Sequence, residues 1–210
     1  MKITVLGASG RTGGLAVREA LARGWNVTAV VRDPARLTVP EHPRLDVAVH
    51  SLTDPGLADA VTGRDAVVLA LGPTDLKPTT VNSDGARSVV SALHGSRTRF
   101  VVVSASGLPA KGDSLFSRLV LKPLLGAVLR NGYADLRRME SILHEAPDVR
   151  WTIVRPTRLT DKPARASVRS EVGRDVRGSS QIPRANVARY LLDAAEDDSL
   201  VGKTVSISQG

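Results

Sequence analysis

Short apolar runs rich in β-branched residues alternate along the chain with longer segments of helical period. Ile3 to Leu6 reads as a buried first strand, and Leu15, Ala16, Glu19, Ala20 and Leu21 follow as a helix that Gly24 stops. Asn26 to Val31 and Leu45 to Val49 give strands two and three. After them Thr53 or Asp54 is placed to cap a short helix beginning at Pro55. Ala66 to Leu71 is a fourth strand, Thr80 to Leu93 is helical in period despite Gly85, and Phe100 to Val103 is a fifth strand stopping at Ser104. A helix over Tyr133 to Leu143, a strand over Trp151 to Val154, a helix over Asn186 to Ala195 and a last strand over Thr204 to Ile207 complete the pattern. Strand and helix in regular alternation predict an α/β protein, its parallel sheet covered by helices on both faces.

The regularity weakens twice. Residues 107–131 mix several Gly and Pro with an apolar patch, Leu119-Val120-Leu121 and Leu124-Leu125, which reads as a substrate-side lid or an oligomer contact. Residues 156–180 form a basic loop, flexible over Pro163 to Ser180. From Arg155 to Arg177 seven basic residues stand against three acidic ones, so one stretch carries half of the formal net charge of +8. That charge is either solvated surface or an attractor for an anionic cofactor or substrate. No repeat divides the 210 residues, so one domain over 1–210 is expected. Aromatic residues are only 3% of the chain, too few for base stacking, and a nucleic-acid partner is not expected. No apolar run is long enough to span a bilayer and the start lacks a signal-peptide pattern, so a cytoplasmic protein without membrane contact is expected. The absence of cysteine excludes disulfides, zinc-thiolate sites and thiol nucleophiles.

The chemistry concentrates in the turn Gly7-Ala8-Ser9-Gly10-Arg11-Thr12-Gly13, between the first strand and the first helix. There a doubly wound sheet places its phosphate site. Glycine at 7 permits a tight turn, at 10 it lets a pyrophosphate approach the backbone, and at 13 it lets helix and strand pack closely. The amides of Arg11, Thr12 and Gly13 then face the phosphates. The spacing is G-x-x-G-x-x-G, and its setting after a strand and before a helix predicts a Rossmann-type dinucleotide fold. A turn that binds nothing is the alternative. At the end of strand two the run Val30-Val31-Arg32-Asp33-Pro34-Ala35-Arg36 places two guanidinium groups where a ribose 2′-phosphate would lie, with Arg11 as a third candidate. NADP(H) is therefore expected over NAD. In the opposing reading Asp33 contacts a ribose hydroxyl and Arg32 stacks on adenine.

With these residues the chain resembles the atypical short-chain dehydrogenases/reductases, and within them the NmrA-like NAD(P)-binding group that contains the NADPH-dependent flavin and biliverdin reductases. The resemblance rests on the glycine turn, on Val30 to Pro34 with Arg36, on Leu71-Gly72 with Asp75-Leu76 and Pro78 to Val81, on Gly85-Ala86-Arg87, and on Val154-Arg155-Pro156. It implies that Gly10 to Gly13 hold pyrophosphate, that Arg32 and Arg36 hold the 2′-phosphate, and that Leu71, Gly72 and Pro73 line the adenosine and ribose path. Pro156 and Thr157 would border the nicotinamide. The chain departs from the group twice: Ser51 and Leu52 stand after strand three, where an Asp often contacts adenine, and Arg158 stands where a histidine lies near the substrate.

The broader superfamily carries Tyr-x-x-x-Lys, in which the cation lowers the tyrosine pKa for proton transfer. Here Tyr133 is followed by Arg137, which cannot reproduce the lysine geometry, and Tyr133 reads either as a proton donor or as a packing residue. Ser104 and Ser106, past strand five, stand where the ligand of such a sheet binds. One touches nicotinamide or substrate, or both are loop hydroxyls. His42, His50, His94 and His144 are scattered without metal-ligand spacing and read as surface residues. Without a convincing proton relay, the expected activity is an NADPH-dependent reductase. Its acceptor is a flavin, taken as substrate rather than bound cofactor, a linear tetrapyrrole or a quinone-like molecule. The alternative is a non-catalytic NADP(H) sensor acting on a protein partner through Leu115 to Leu129. A monomer or homodimer is expected. An epimerase or dehydratase would need the missing relay.

Overall fold

The computed structural model describes residues 1–73, 75–106, 130–176 and 180–210. The expected lid and the sensor segment lie outside them, except that positions 130 and 131 open a helix.

Strand β1 (Lys2–Leu6) is buried from Ile3 to Leu6, with no alternation of polar and apolar positions. Only a strand covered on both faces has that pattern. Its parallel neighbours are β2 (Asn26–Val31) and β4 (Ala66–Leu69), with β3 (Leu45–Val49) outside β2. On the other side follow β5 (Arg99–Val103), β6 (Arg150–Pro156), β10 (Lys203–Gln209) and β8 (Val168–Val172). The order is β3-β2-β1-β4-β5-β6-β10-β8, and β8 alone runs antiparallel, against β10. A separate pair, β7 (Arg158–Thr160) with β9 (Gln181–Pro183), follows the end of β6.

Helices cover both faces. On one, α1 (Arg11–Ala22) packs beside α5 (Arg184–Glu196), over Val5, Ala29, Val101 and Val154 with Val17 and Leu191. On the other, α2 (Leu57–Val61), α3 (Val81–Leu93) and α4 (Arg130–His144) cover Leu6, Val30, Leu69, Phe100 and Ile153 with Leu93 and Met139. Neighbouring strand residues such as Val5 and Leu6 feed opposite cores because successive side chains leave opposite faces. The fold is thus a Rossmann-type doubly wound, mostly parallel sheet in one domain.

Three expectations change. The helix expected from Pro55 begins at Leu57 and is five residues long, because Asp54 Oδ1 accepts the Gly56 amide at 2.8 Å and holds the chain in a turn first. Strand four stops at Leu69 rather than Leu71. Ala70 N still donates to Leu6 O at 3.0 Å, but β1 ends there and offers no further ladder. The stretch 163–180, read as a flexible loop, contains β8 and leads into β9. β8 is an edge strand with Val172 51% exposed, held by backbone pairing to β10, so the sequence carried no hydrophobic period to announce it.

Candidate cofactor and acceptor site

β1 delivers the chain into the glycine turn at the centre of the sheet. Gly7 has φ 83, and a side chain there would lie 2.6 Å from Ala70 O. A Cβ on Gly13 would collide with Gly7 O. Glycine at both positions lets α1 start directly on the end of β1. Gly10 caps α1 without a side-chain hydrogen bond, and the first turn contains no acidic residue. Gly14 N is the first amide to find its acceptor within the helix, Gly10 O at 2.8 Å. The amides of Arg11, Thr12 and Gly13 therefore stand at the positive end of the helix dipole without intrahelical acceptors, a cradle for phosphate. Ser9 and Gly10 lie exposed at its lip. The side chain of Arg11 reaches Asp161 Oδ2 at 2.9 Å, while Arg184 takes Asp161 Oδ1 at 2.6 Å. Arg11 thus ties the turn to the segment after β7.

Past β2, Asp33 Oδ1 accepts the Ala35 amide at 3.0 Å and caps a 3-10 turn over Pro34–Arg36. That carboxylate serves its own backbone. Arg32 and Arg36 are exposed and make no ion pair with a described residue. Ser51 is exposed, its hydroxyl 3.5 Å from that of Thr53. Leu52 and Leu71 meet over Gly85, where an added Cβ would lie 3.6 Å from Leu52 Cδ2 and 2.8 Å from Leu71 Cδ1. One apolar wall therefore joins the ends of β3 and β4, with Gly72 and Pro73 exposed beside it.

The ends of β5 and β6 are organised by side chains. Ser104 Oγ donates to Glu140 Oε1 at 2.6 Å, and Arg155 donates to the same carboxylate through Nε at 2.9 Å and Nη2 at 2.5 Å. Glu140 and Arg155 form a buried two-point ion pair between α4 and β6. Ser106 Oγ donates to Arg155 O at 2.9 Å. Thr157 Oγ1 is buried with no hydrogen-bond partner among the described residues, beside the buried Pro156. An orphaned hydroxyl there fits a polar cofactor group that would complete it. Arg158 is exposed and donates to Gln181 Oε1 at 3.3 Å.

Tyr133 lies on the first turn of α4, half-buried and without a hydrogen bond to a described residue, and burial pushes its phenol above the ordinary range. That is opposite to the shift a tyrosine proton relay requires. The start of α4 is tied to the loop after β4: Asn131 Nδ2 donates to Leu76 O at 2.6 Å and Arg138 Nη2 to Thr79 O at 2.7 Å. Asp135, fully buried, accepts from Asn82 N, Asn82 Nδ2, Ser83 N and Ser83 Oγ at 2.6 to 3.2 Å. It caps α3 from another helix, a task that Thr80, the residue at the N-cap position, leaves undone.

Sequence reasoning missed Glu140 and Asp135. The signal was present: Asp135, Met139 and Leu143 recur at helical spacing on one buried face of α4, and a carboxylate within such a stripe needs a partner. The histidines stand apart. His50 bonds Asp54, His94 bonds Asp148, His42 accepts the Arg44 amide and His144 meets Trp151 edge-on.

A cavity of about 290 Å³ is lined by Thr160, Lys162, Arg165, Arg169 and Gln209 among others. Lys162, Arg165 and Arg169 make no ion pair with a described residue, and Thr160 Oγ1 and Gln209 Oε1 are buried without partners there. Three cations of the basic stretch thus line one cleft, while Arg155 is paired with Glu140 and Arg174 with Glu171.

Known proteins share this architecture. The chain is 27% identical over 225 residues to oxidoreductase AgnL4 of Paecilomyces divaricatus, with 97% of this chain and 84% of that one covered. A Streptococcus pneumoniae TIGR4 protein proposed to be an NADH-flavin reductase has a TM-score of 0.82 at 24% identity, with both chains fully covered. A short-chain dehydrogenase/reductase of Veillonella parvula DSM 2008, solved in complex with NADP, has a TM-score of 0.78 at 22% identity, covering 99% of this chain and 94% of that one. A family model for NAD(P)H binding matches residues 7–198, from the first glycine of the turn to just past α5. The cradle at the start of α1 and that match together place the chain in the NAD(P)H-binding family of oxidoreductase-like proteins.

Proposed function

We propose that the protein is an NADPH-dependent reductase whose acceptor is a flat conjugated molecule: a flavin bound as substrate, a linear tetrapyrrole or a quinone. Bound NADPH supplies the hydride. The residues of the chain bind and orient. The α1 amides hold the pyrophosphate, Arg32 and Arg36 the 2′-phosphate, Leu52 and Leu71 the adenosine side, and Thr157 the nicotinamide end. Lys162, Arg165 and Arg169 draw an acidic acceptor toward the same edge of the sheet.

The observation that carries the acceptor class is the state of the candidate proton donors. Ser104 is committed to Glu140, Ser106 to the Arg155 carbonyl, and the Tyr133 phenol is pushed up by burial. A simple ketone needs an acid at its oxygen as hydride arrives, whereas an extended conjugated system accepts hydride first and takes its proton from water. Steady-state NADPH oxidation with FMN, FAD, biliverdin and quinones, set against a panel of ketones and aldehydes, tests this reading. Turnover of the conjugated acceptors alone is expected. Turnover of the carbonyl panel alone would overturn it.

A further inference from the structure

The opposite edge of the sheet, where β4, β5 and β6 begin at Ala66, Arg99 and Arg150, gathers guanidinium groups that the cofactor site does not use. A cavity of about 410 Å³ opens there, lined by Arg64, Arg97, Arg99, Arg150, Ser96 and Asp65 among others. Its inner wall is Arg99, only 3% exposed. Arg99 Nη1 donates to Arg150 O at 3.2 Å, and Nη2 donates to Thr152 Oγ1, Ala194 O and Asp197 O at 2.9 to 3.0 Å. Its Nε is buried with no hydrogen-bond partner among the described residues. Asp198 Oδ1 lies 3.7 Å from that nitrogen but is engaged by Arg150 Nη2 at 2.7 Å.

The other charges do not resolve the imbalance. Asp65 Oδ2 accepts the Lys2 amide at 2.6 Å. Arg64 Nε and Arg150 Nη1 serve the Ala60 and Arg97 carbonyls, ordinary partners for cations near helix ends and loops. The Arg97 side chain is exposed and makes no hydrogen bond or ion pair with a described residue. Burial first, and then the neighbouring Arg150, push Arg99 below its ordinary pKa. A buried donor without an acceptor, beside four arginines that outnumber the carboxylates of Asp65, Asp197 and Asp198, has the chemistry of an anion receptor.

We infer that this cavity is a second anion site, separate from the cofactor edge, that takes a doubly charged oxyanion of the phosphate or phosphomonoester type. An oxygen of the anion accepts from Arg99 Nε, and Arg64 and Arg97 supply the outer charge. The fold keeps the site and the glycine turn on opposite edges of the sheet, so occupancy of one leaves the other open.

Calorimetric titration of the full chain with inorganic phosphate, in buffer whose ionic strength is held with sodium chloride and with NADP saturating the glycine turn, tests the inference. Arg99 holds three elements together, so the test uses the outer pair, Arg64→Gln with Arg97→Gln. Saturable phosphate binding is expected for the wild type, weaker by about tenfold or more in the double variant, with NADPH affinity unchanged. Arg32→Ala is expected to leave phosphate binding here intact. No saturation in the wild type, or equal binding by wild type and double variant, means an adventitious ion only and overturns the site.

Discussion

The two halves of the carboxyl edge are built by different means. The nucleotide half, from β1 to the end of β4, is shaped by the main chain. Gly7 and Gly13 remove side chains where backbone meets backbone, and the proposed phosphate donors are amides. The other half, at the ends of β5 and β6 and proposed to meet the acceptor, is shaped by long-range side-chain bonds. Ser104, Glu140 and Arg155 join β5, α4 and β6, and Asp135 joins α4 to α3. A main-chain site tolerates little change in residue type at its glycines and much elsewhere. A side-chain network is only as sound as its buried partner.

The comparison can be broken first at the glycine turn. Gly13→Val places a branched side chain against Gly7 O, and neither backbone can retreat without moving β1 or α1. A loss of about 3 kcal/mol or more in chemical denaturation, with no measurable NADPH binding, is expected. Retained binding would show that the turn is not the cradle. Next is Glu140→Ala, which leaves the largely buried Arg155 guanidinium without its carboxylate. A loss of about 3 kcal/mol is expected from the denaturation midpoint, with NADPH affinity of the folded protein within about twofold of wild type. Equal damage to both properties would mean that the two halves are one unit.

Arg32→Ala sharpens the contrast within the nucleotide half. It should weaken NADPH binding by about 10- to 100-fold, the worth of one charge-assisted phosphate contact, and leave NADH binding and stability unchanged. Equal losses for both coenzymes in a fluorescence titration would remove the 2′-phosphate assignment. The smallest effect is expected outside both halves. The hydrogen bond from His94 is the main cause holding the Asp148 carboxyl below its ordinary value of 3.8. A depressed folded pKa gives stability that is present above the unfolded value and is lost as pH falls through the folded one. His94→Ala should therefore lower stability slightly above about pH 4 and flatten its acid dependence, the two proteins converging in stronger acid. Denaturation series at several pH values measure it.

Much of the fold and of the nucleotide half was legible from residue order alone. β2, buried from Val27 to Val31, and β3, an exposed edge strand that is still a short and mostly apolar run, were both bounded to the residue. The glycine turn was legible because its geometry excludes side chains. Asp33 stayed ambiguous in sequence because an acid after strand two suits a ribose hydroxyl as well as a local cap, and the structure shows its Oδ1 on the Ala35 amide. The acceptor half was poorly legible. Ser104 and Glu140 are 36 residues apart, and nothing in either neighbourhood names the other. β8 was hidden because Arg169, Ser170 and Glu171 interrupt its apolar positions and its place rests on backbone pairing with β10.

The sequence by itself determined the alternation of strand and helix, the glycine turn and the charge past strand two, because period, glycine and local charge act over a few residues. Only the tertiary structure decided that Glu140 grips Arg155 and Ser104, that Asp135 caps a helix not its own, and that arginines from two loops and two strand starts face one cavity. Those arrangements depend on which surfaces the sheet brings together, and burial then makes each polar group find a partner or stand without one.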